Sequence, residues 1–143
     1  MERRSFIKSS CLLCAGVAAL GLTAVELSSC APALPTFKTS FTGNRVAVPV
    51  SSFVESNLLI VRDLQVEFDI LLVKKSAEEY RAIYMKCSHQ SNPVTATNTG
   101  LYCSSHGSSF DLDGNVTKEP ATAPLQKFRT EISNENVIIF LNL

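Results

Sequence analysis

The chain has no tryptophan, only two histidines and two methionines, and no net charge: 13 Lys and Arg stand against 13 Asp and Glu over 143 residues. Each shortage excludes something. Positions 1–29 hold Arg3, Arg4 and Lys8 against Glu2 and Glu26, so the rest of the chain keeps 10 basic and 11 acidic residues. A body so close to neutrality offers no electrostatic footprint for nucleic acid. With 45% apolar and only 18% charged residues, the chain is not disordered. The apolar run Cys11–Val25 covers fifteen residues, short of the about 20 that span a bilayer. No segment sustains a 3.6-residue apolar period, which excludes a helical bundle. No nucleophile–base pair and no phosphate loop is present, so no substrate chemistry is indicated.

What is present at the start reads as an export leader over residues 1–29. Met1–Lys8 is basic and the apolar run follows it. Arg3-Arg4-Ser5-Phe6-Ile7-Lys8 resembles the twin-arginine signal, whose route carries proteins already folded around a cofactor. Leu27-Ser28-Ser29-Cys30 resembles a lipobox, in which Cys30 is lipidated and becomes the mature N-terminus. The expected location is therefore the periplasmic side of a bacterial membrane, with the chain anchored through lipidated Cys30. Several acyl chains on one residue hold firmly, because each buried CH₂ contributes about 0.8 kcal/mol. Glu26 opposes continuation of the apolar run as a span. Cys11 and Cys14, spaced C-x-x-C within the leader, read as small apolar residues.

Residues 30–44 carry Pro32 and Pro35 in Ala31–Ser40 and read as a tether. From residue 45 on, β signals dominate. Arg45–Val50 alternates and Pro49 marks an edge or strand end. Leu58–Val61, Val66–Val73 and Tyr80–Met85 are further strand candidates. Lys127–Ile132 and Asn136–Leu143 form a hairpin across Ser133-Asn134-Glu135. Ser76–Glu79 supplies one turn. The body, 45–143, is an all-β domain of sandwich or barrel type.

Of five cysteines, only Cys87 and Cys103 lie in this body, and both histidines sit within three residues of them. A disulfide between the two cysteines would leave the histidines unexplained. The residues form two hybrid pairs, Cys87-Ser88-His89 and Cys103-Ser104-Ser105-His106. Each pair can place a thiolate and an imidazole on one side of a tight loop. Two such loops facing each other fit two sulfide-bridged ferric ions, thiolates on one and imidazoles on the other. One tetrahedral Zn²⁺ is the rival, as the structural centre of a β binding module. Zinc fingers, however, present cysteines as one pair and histidines as another. Chance placement does not explain the pairing.

These residues resemble the Rieske iron–sulfur domain family over about Leu58–Leu143. The resemblance is carried by Lys86-Cys87-Ser88-His89-Gln90, Cys103-Ser104-Ser105-His106-Gly107-Ser108, Phe110-Asp111-Leu112-Asp113-Gly114 and Pro120-Ala121-Thr122-Ala123-Pro124-Leu125. It implies one [2Fe–2S] cluster per chain, bound by Cys87, His89, Cys103 and His106. It implies a three-layer antiparallel β domain whose ligand loops form an exposed tip. Asp113-Gly114 turns a hairpin, and Pro120–Pro124 is the loop that shields the cluster on one side. The function implied is one-electron transfer to or from a redox protein, as an electron carrier or redox subunit. With both histidines used as ligands, no imidazole remains for a mononuclear oxygenase iron. A quinol-oxidising subunit of a membrane complex is the enzymatic alternative.

Four departures from the family pattern stand out. The spacing between ligand pairs is short, which implies a trimmed connecting loop. Asn92 and Ser105 occupy the places of the two cysteines that bridge the loops in quinol-oxidising relatives. Glu119 replaces a glycine. Ser108 matches a serine that donates to a bridging sulfide, whereas Phe110 replaces a tyrosine that donates to a ligand thiolate. Hydrogen bonds to cluster sulfur favour the reduced state, so one donor kept and one lost implies an intermediate potential in the range of about −150 to +300 mV.

Overall fold

Ile70–Val73 is apolar at every position, and the fold accounts for it. In the computed structural model, which describes residues 33–41 and 43–142, this run lies in β4 (Ile70–Lys74) and is buried on both faces. Ile70 and Leu72 join one apolar cluster while Leu71 and Val73 join another. Alternation fails because neither face meets water. The flanking strands are β3 (Leu58–Arg62), antiparallel to β4, and β5 (Tyr80–Tyr84), antiparallel on its other side. The central layer is thus packed from both sides.

The first cluster lies under β2 (Arg45–Pro49) and β11 (Asn136–Phe140), whose Val46, Val48, Val137 and Ile139 face Ile70, Leu72 and Ala82. β2 is an edge strand, as Pro49 predicts. The layers are joined by β10 (Lys127–Ser133). Its Lys127 and Phe128 pair with β5, and its Arg129–Ser133 stretch pairs with β11. One strand therefore serves two sheets. The β10–β11 turn is shorter than expected, with Ser133 paired to Asn136. Asn134 and Glu135 alone make it, at φ of 49° and 61°, the left-handed values that a two-residue hairpin turn demands.

The second cluster faces a four-stranded sheet of β6 (Thr95–Thr97), β7 (Gly100–Tyr102), β8 (Ser109–Phe110) and β9 (Val116–Lys118). The architecture is all-β and three-layered. These four strands have two or three residues each, too short to show a period in sequence.

Two sequence expectations are corrected. The stretch read as a tether contains β1 (Thr36–Lys38), parallel to β3, with Phe37 packed on the first cluster and Leu34 on the second. The folded unit reaches back to Ala33. The strand expected over Val66–Val73 begins only at Ile70. Arg62 grips Asp69 through three hydrogen bonds of 2.6, 2.9 and 3.1 Å, and Asp63 accepts the Gln65 amide at 2.6 Å, so residues 63–69 form a loop. Phe68 folds back edge-on to Tyr84, 5.6 Å between centroids. Its apolar character serves loop packing rather than a strand. The leader and Cys30 lie outside the described residues. Among the described residues, no helix is long and apolar enough to cross a membrane.

Candidate metal centre

Loop one leaves β5 and contains Cys87 and His89; loop two leaves β7 and contains Cys103 and His106. Both are built the same way. The Cys87 amide donates to Asn92 O at 2.7 Å and the Ser91 amide to Cys87 O at 2.9 Å. The Cys103 amide donates to Ser108 O at 2.8 Å and the Gly107 amide to Cys103 O at 2.9 Å. In each loop the fourth residue after the cysteine has positive φ, Ser91 at 55° and Gly107 at 84°. A left-handed residue there closes the turn. The repeated backbone frame closes each loop without a disulfide between them. Between the loops, the shortened connection is the β6–β7 hairpin, in which Thr97 Oγ1 donates to Gly100 O at 2.9 Å.

Sequence presents hybrid pairs, and the fold regroups them. Both cysteines are free and buried, and the Cys103 thiol lies within hydrogen-bonding reach of Cys87. The His89 and His106 rings stand edge to face, 5.0 Å between centroids. Donors therefore meet in twos, sulfur with sulfur and imidazole with imidazole. Among the described residues, no three His, Cys, Asp or Glu side chains converge as the shell of one ion. Thiols meeting thiols and imidazoles meeting imidazoles is an arrangement that suits two bridged irons.

The residues fit the cluster chemically as well. His89 Nδ1 is buried with no hydrogen-bond partner. An orphaned buried polar atom costs about 1–3 kcal/mol, and a metal at its lone pair removes that cost. Burial pushes the Cys103 thiol up, but the amides of Ser105 and His106, the Cys87 thiol and the Ser105 hydroxyl outweigh it and hold the thiol below its ordinary value. Cys103 is thereby biased toward the thiolate that binds metal. Exposure is asymmetric: His106 is exposed while His89 is half-buried.

Two serines that differ in loop and role hold the Pro120–Pro124 segment against the site. Ser88 Oγ donates to Ala123 O at 2.6 Å, and Ser108 Oγ accepts the Ala121 amide at 3.0 Å. Ser108 is wholly enclosed, and accepting from Ala121 leaves its hydroxyl proton for another acceptor. The sequence did not single out Ser88; its only signal was a hydroxyl residue between two donors. The peptide before Pro120 is cis; nothing in the structure explains Glu119 there. Ser108→Ala would orphan a buried amide and is expected to destabilise the domain by about 1–3 kcal/mol, read as a lowered thermal midpoint.

Phe110 is buried in the second cluster with Leu101 and Cys103. The Asp111–Asn115 loop is organised by one carboxylate: Asp111 Oδ1 accepts the amides of Asp113 and Asn115, both at 2.8 Å. Gly114, at φ 78°, completes the turn and its carbonyl accepts the Leu125 amide at 2.8 Å. That bond ties the Asp-Gly turn to the end of the proline segment. Lys75, with Arg81 beside it, holds the Asp113 carboxyl below the usual carboxylate range and fixes this turn to the central layer.

A model of the Rieske [2Fe-2S] domain family matches residues 45–129, more than half of the chain. No curated protein matches it. Among solved structures it is similar to the cyanobacterial plasma membrane Rieske protein PetC3 from Synechocystis PCC 6803, at 22% identity and TM-score 0.55, over 66% of this chain and 97% of that one. It is also similar to the ferredoxin of carbazole 1,9a-dioxygenase from Nocardioides aromaticivorans IC177, at 16% identity and TM-score 0.50, over 69% and 99%. At these identities the likeness is one of fold. The chain belongs to the Rieske [2Fe-2S] domain family, and its cofactor is one [2Fe–2S] cluster.

Proposed function

We propose that Cys87, His89, Cys103 and His106 hold the cluster, and that the chain passes single electrons between redox proteins outside the cytoplasm, anchored by lipidated Cys30. When bound, a cluster of this type takes up and returns one electron. The observation that carries the ligand assignment is the regrouping of donors: two free, buried thiols within hydrogen-bonding reach, two imidazoles edge to face, and a buried His89 Nδ1 with no partner. Buried Cys87 and Cys103 bind on the protein side. His89 and His106 bind on the solvent side, where the exposed His106 ring offers a partner the shorter approach. The serine-held segment Pro120–Pro124 excludes water from one flank. Export and anchoring are supported by Arg3-Arg4-Ser5-Phe6-Ile7-Lys8 and by Leu27-Ser28-Ser29-Cys30. The test is iron and acid-labile sulfide analysis of the full chain, with low-temperature EPR after reduction. About two irons, two sulfides and a mixed-valence signal are expected; one zinc without sulfide would overturn the reading.

Ser108 and Phe110 tune the potential in this proposal, the first by donating to cluster sulfur and the second by lacking a hydroxyl. Phe110→Tyr adds a donor next to Cys103. One hydrogen bond contributes about 0.5–1.5 kcal/mol, which for one electron at about 59 mV per tenfold raises the potential by roughly 20–60 mV. An unchanged potential in protein-film voltammetry sinks the tuning role.

A further inference from the structure

From Cys87 to Phe110 the chain contains no Asp, Glu, Lys or Arg, although 18% of the whole chain is charged. Pro120–Gln126 is equally free of them. Sequence separates these stretches, and the fold joins them: the Ser88–Ala123 and Ser108–Ala121 hydrogen bonds seat the second stretch against the first. Of the adjoining charges, Lys127 lies exposed next to Gln126 and near Asp111, and the others are engaged elsewhere. Lys86 holds its amine 5.7 Å from the Phe68 ring centroid. Asp111 is occupied by the amides of its own loop, and Asp113 by Lys75 and Arg81. Lys118 and Glu119 stand side by side at the margin and cancel in formal charge. Exposed on the joined stretches with His106 are Ser88, Gln90, Ser91, Ser104 and Ser105, flanked by the uncharged Pro120, Thr122, Ala123 and Pro124.

We infer that this face docks a one-electron redox protein whose own docking surface is uncharged and hydrogen-bonding, with no ion pair steering or holding the encounter. The inference rests on the cluster reading of the site and adds the chemistry of the partner's surface. A charged rim raises association toward about 10⁸–10⁹ M⁻¹s⁻¹ at low salt and loses that gain as salt screens it; a neutral pair associates at about 10⁵–10⁶ M⁻¹s⁻¹. An ion pressed against serine hydroxyls and imidazole edges sheds water and meets no opposite charge, whatever its sign. The same cost rejects partners with charged docking faces. On docking, one electron leaves the reduced chain and reduces the partner's oxidised centre by one.

Gln90 is exposed beside His89 and makes no side-chain hydrogen bond among those described, so it is the place to install a charge. The cluster-loaded full chain and its Gln90→Glu and Gln90→Lys variants are reduced anaerobically. Their reoxidation by an extract of the cells that make the chain, soluble and membrane fractions together, is followed by EPR between about 20 and 500 mM KCl. The unsubstituted chain is expected to change rate less than about twofold, and both variants to slow by about threefold or more. A fall of about tenfold with salt overturns the inference, as does one variant slowing while the other accelerates, because a charged partner face responds to sign. The EPR signal separates the two questions. Its absence from the reduced, unsubstituted chain sinks the cluster reading, whereas a normal signal with sign-dependent reoxidation sinks only the docking surface.

Discussion

Cys103→Ser is expected to strip the chain of its cluster, with iron falling from about two per chain to less than about a tenth of that and the reduced-state EPR signal vanishing. Cys103 is the most enclosed of the four proposed ligands, at 0% exposure, and the amides of Ser105 and His106 point at its sulfur. A serine hydroxyl keeps its proton at neutral pH and is a poor ligand for iron. The loss extends beyond the cofactor. Without metal, His89 Nδ1 stays buried and unpartnered and Cys87 loses its neighbour. Binding free energy at such a site is also folding free energy. A drop of about 2 kcal/mol or more follows, roughly 10 °C or more in the thermal midpoint for a domain of this size. The β architecture should survive in far-UV circular dichroism, because the cluster of Val46, Leu72, Val137 and Ile139 lies between the other two layers and includes no ligand. Full iron and sulfide in the variant would show that the ligand assignment is wrong.

The second large effect is expected at a glycine outside the ligand loops. A Cβ on Gly100 would sit 2.5 Å from the carbonyl oxygen of Phe110. The obstacle is backbone, which cannot swing aside as a side chain can. Gly100→Ala must therefore push β7 away from β8. β7 leads into Cys103 three residues later, and β8 follows directly on Ser108. Overpacking of this kind costs about 1–3 kcal/mol, or roughly 5–15 °C in the thermal midpoint, and faster cluster loss should accompany it. Gly43 is the control. It has φ 68° and nothing within 4 Å of the added carbon, so Gly43→Ala carries only the left-handed backbone penalty of about 1 kcal/mol and should leave the cluster's lifetime unchanged. Equal cluster lifetimes in the two variants would refute the role given to the β7–β8 contact.

Much of the site was legible in the sequence because its chemistry is local. Cys87 with His89, and Cys103 with His106, are neighbours along the chain, and few residue types serve as soft ligands for iron. The edge position of β2 was legible through Pro49, and the β10–β11 hairpin through its two apolar arms. The misreadings share a cause. β1 escaped notice because three residues between prolines and serines show no period, and its pairing with β3 is non-local. Phe68 suggested a strand because an apolar side chain that packs back from a loop looks, in sequence, like one that alternates in a sheet. β6 and β7 were too short to register, and β8 and β9 showed only through the Asp113-Gly114 turn between them.

Taken alone, the sequence determined which atoms can bind metal and that the chain around them is β-forming, since both follow from residue type and near-neighbour spacing. Tertiary structure decided which side chains stand together: Cys87 with Cys103, His89 with His106, and Pro120–Pro124 held to both loops by Ser88 and Ser108. It also gathered uncharged stretches that are distant along the chain into one face. The reason is that a contact between residues far apart in sequence is selected by packing of the whole core. No local pattern records which of the possible pairings that core will favour.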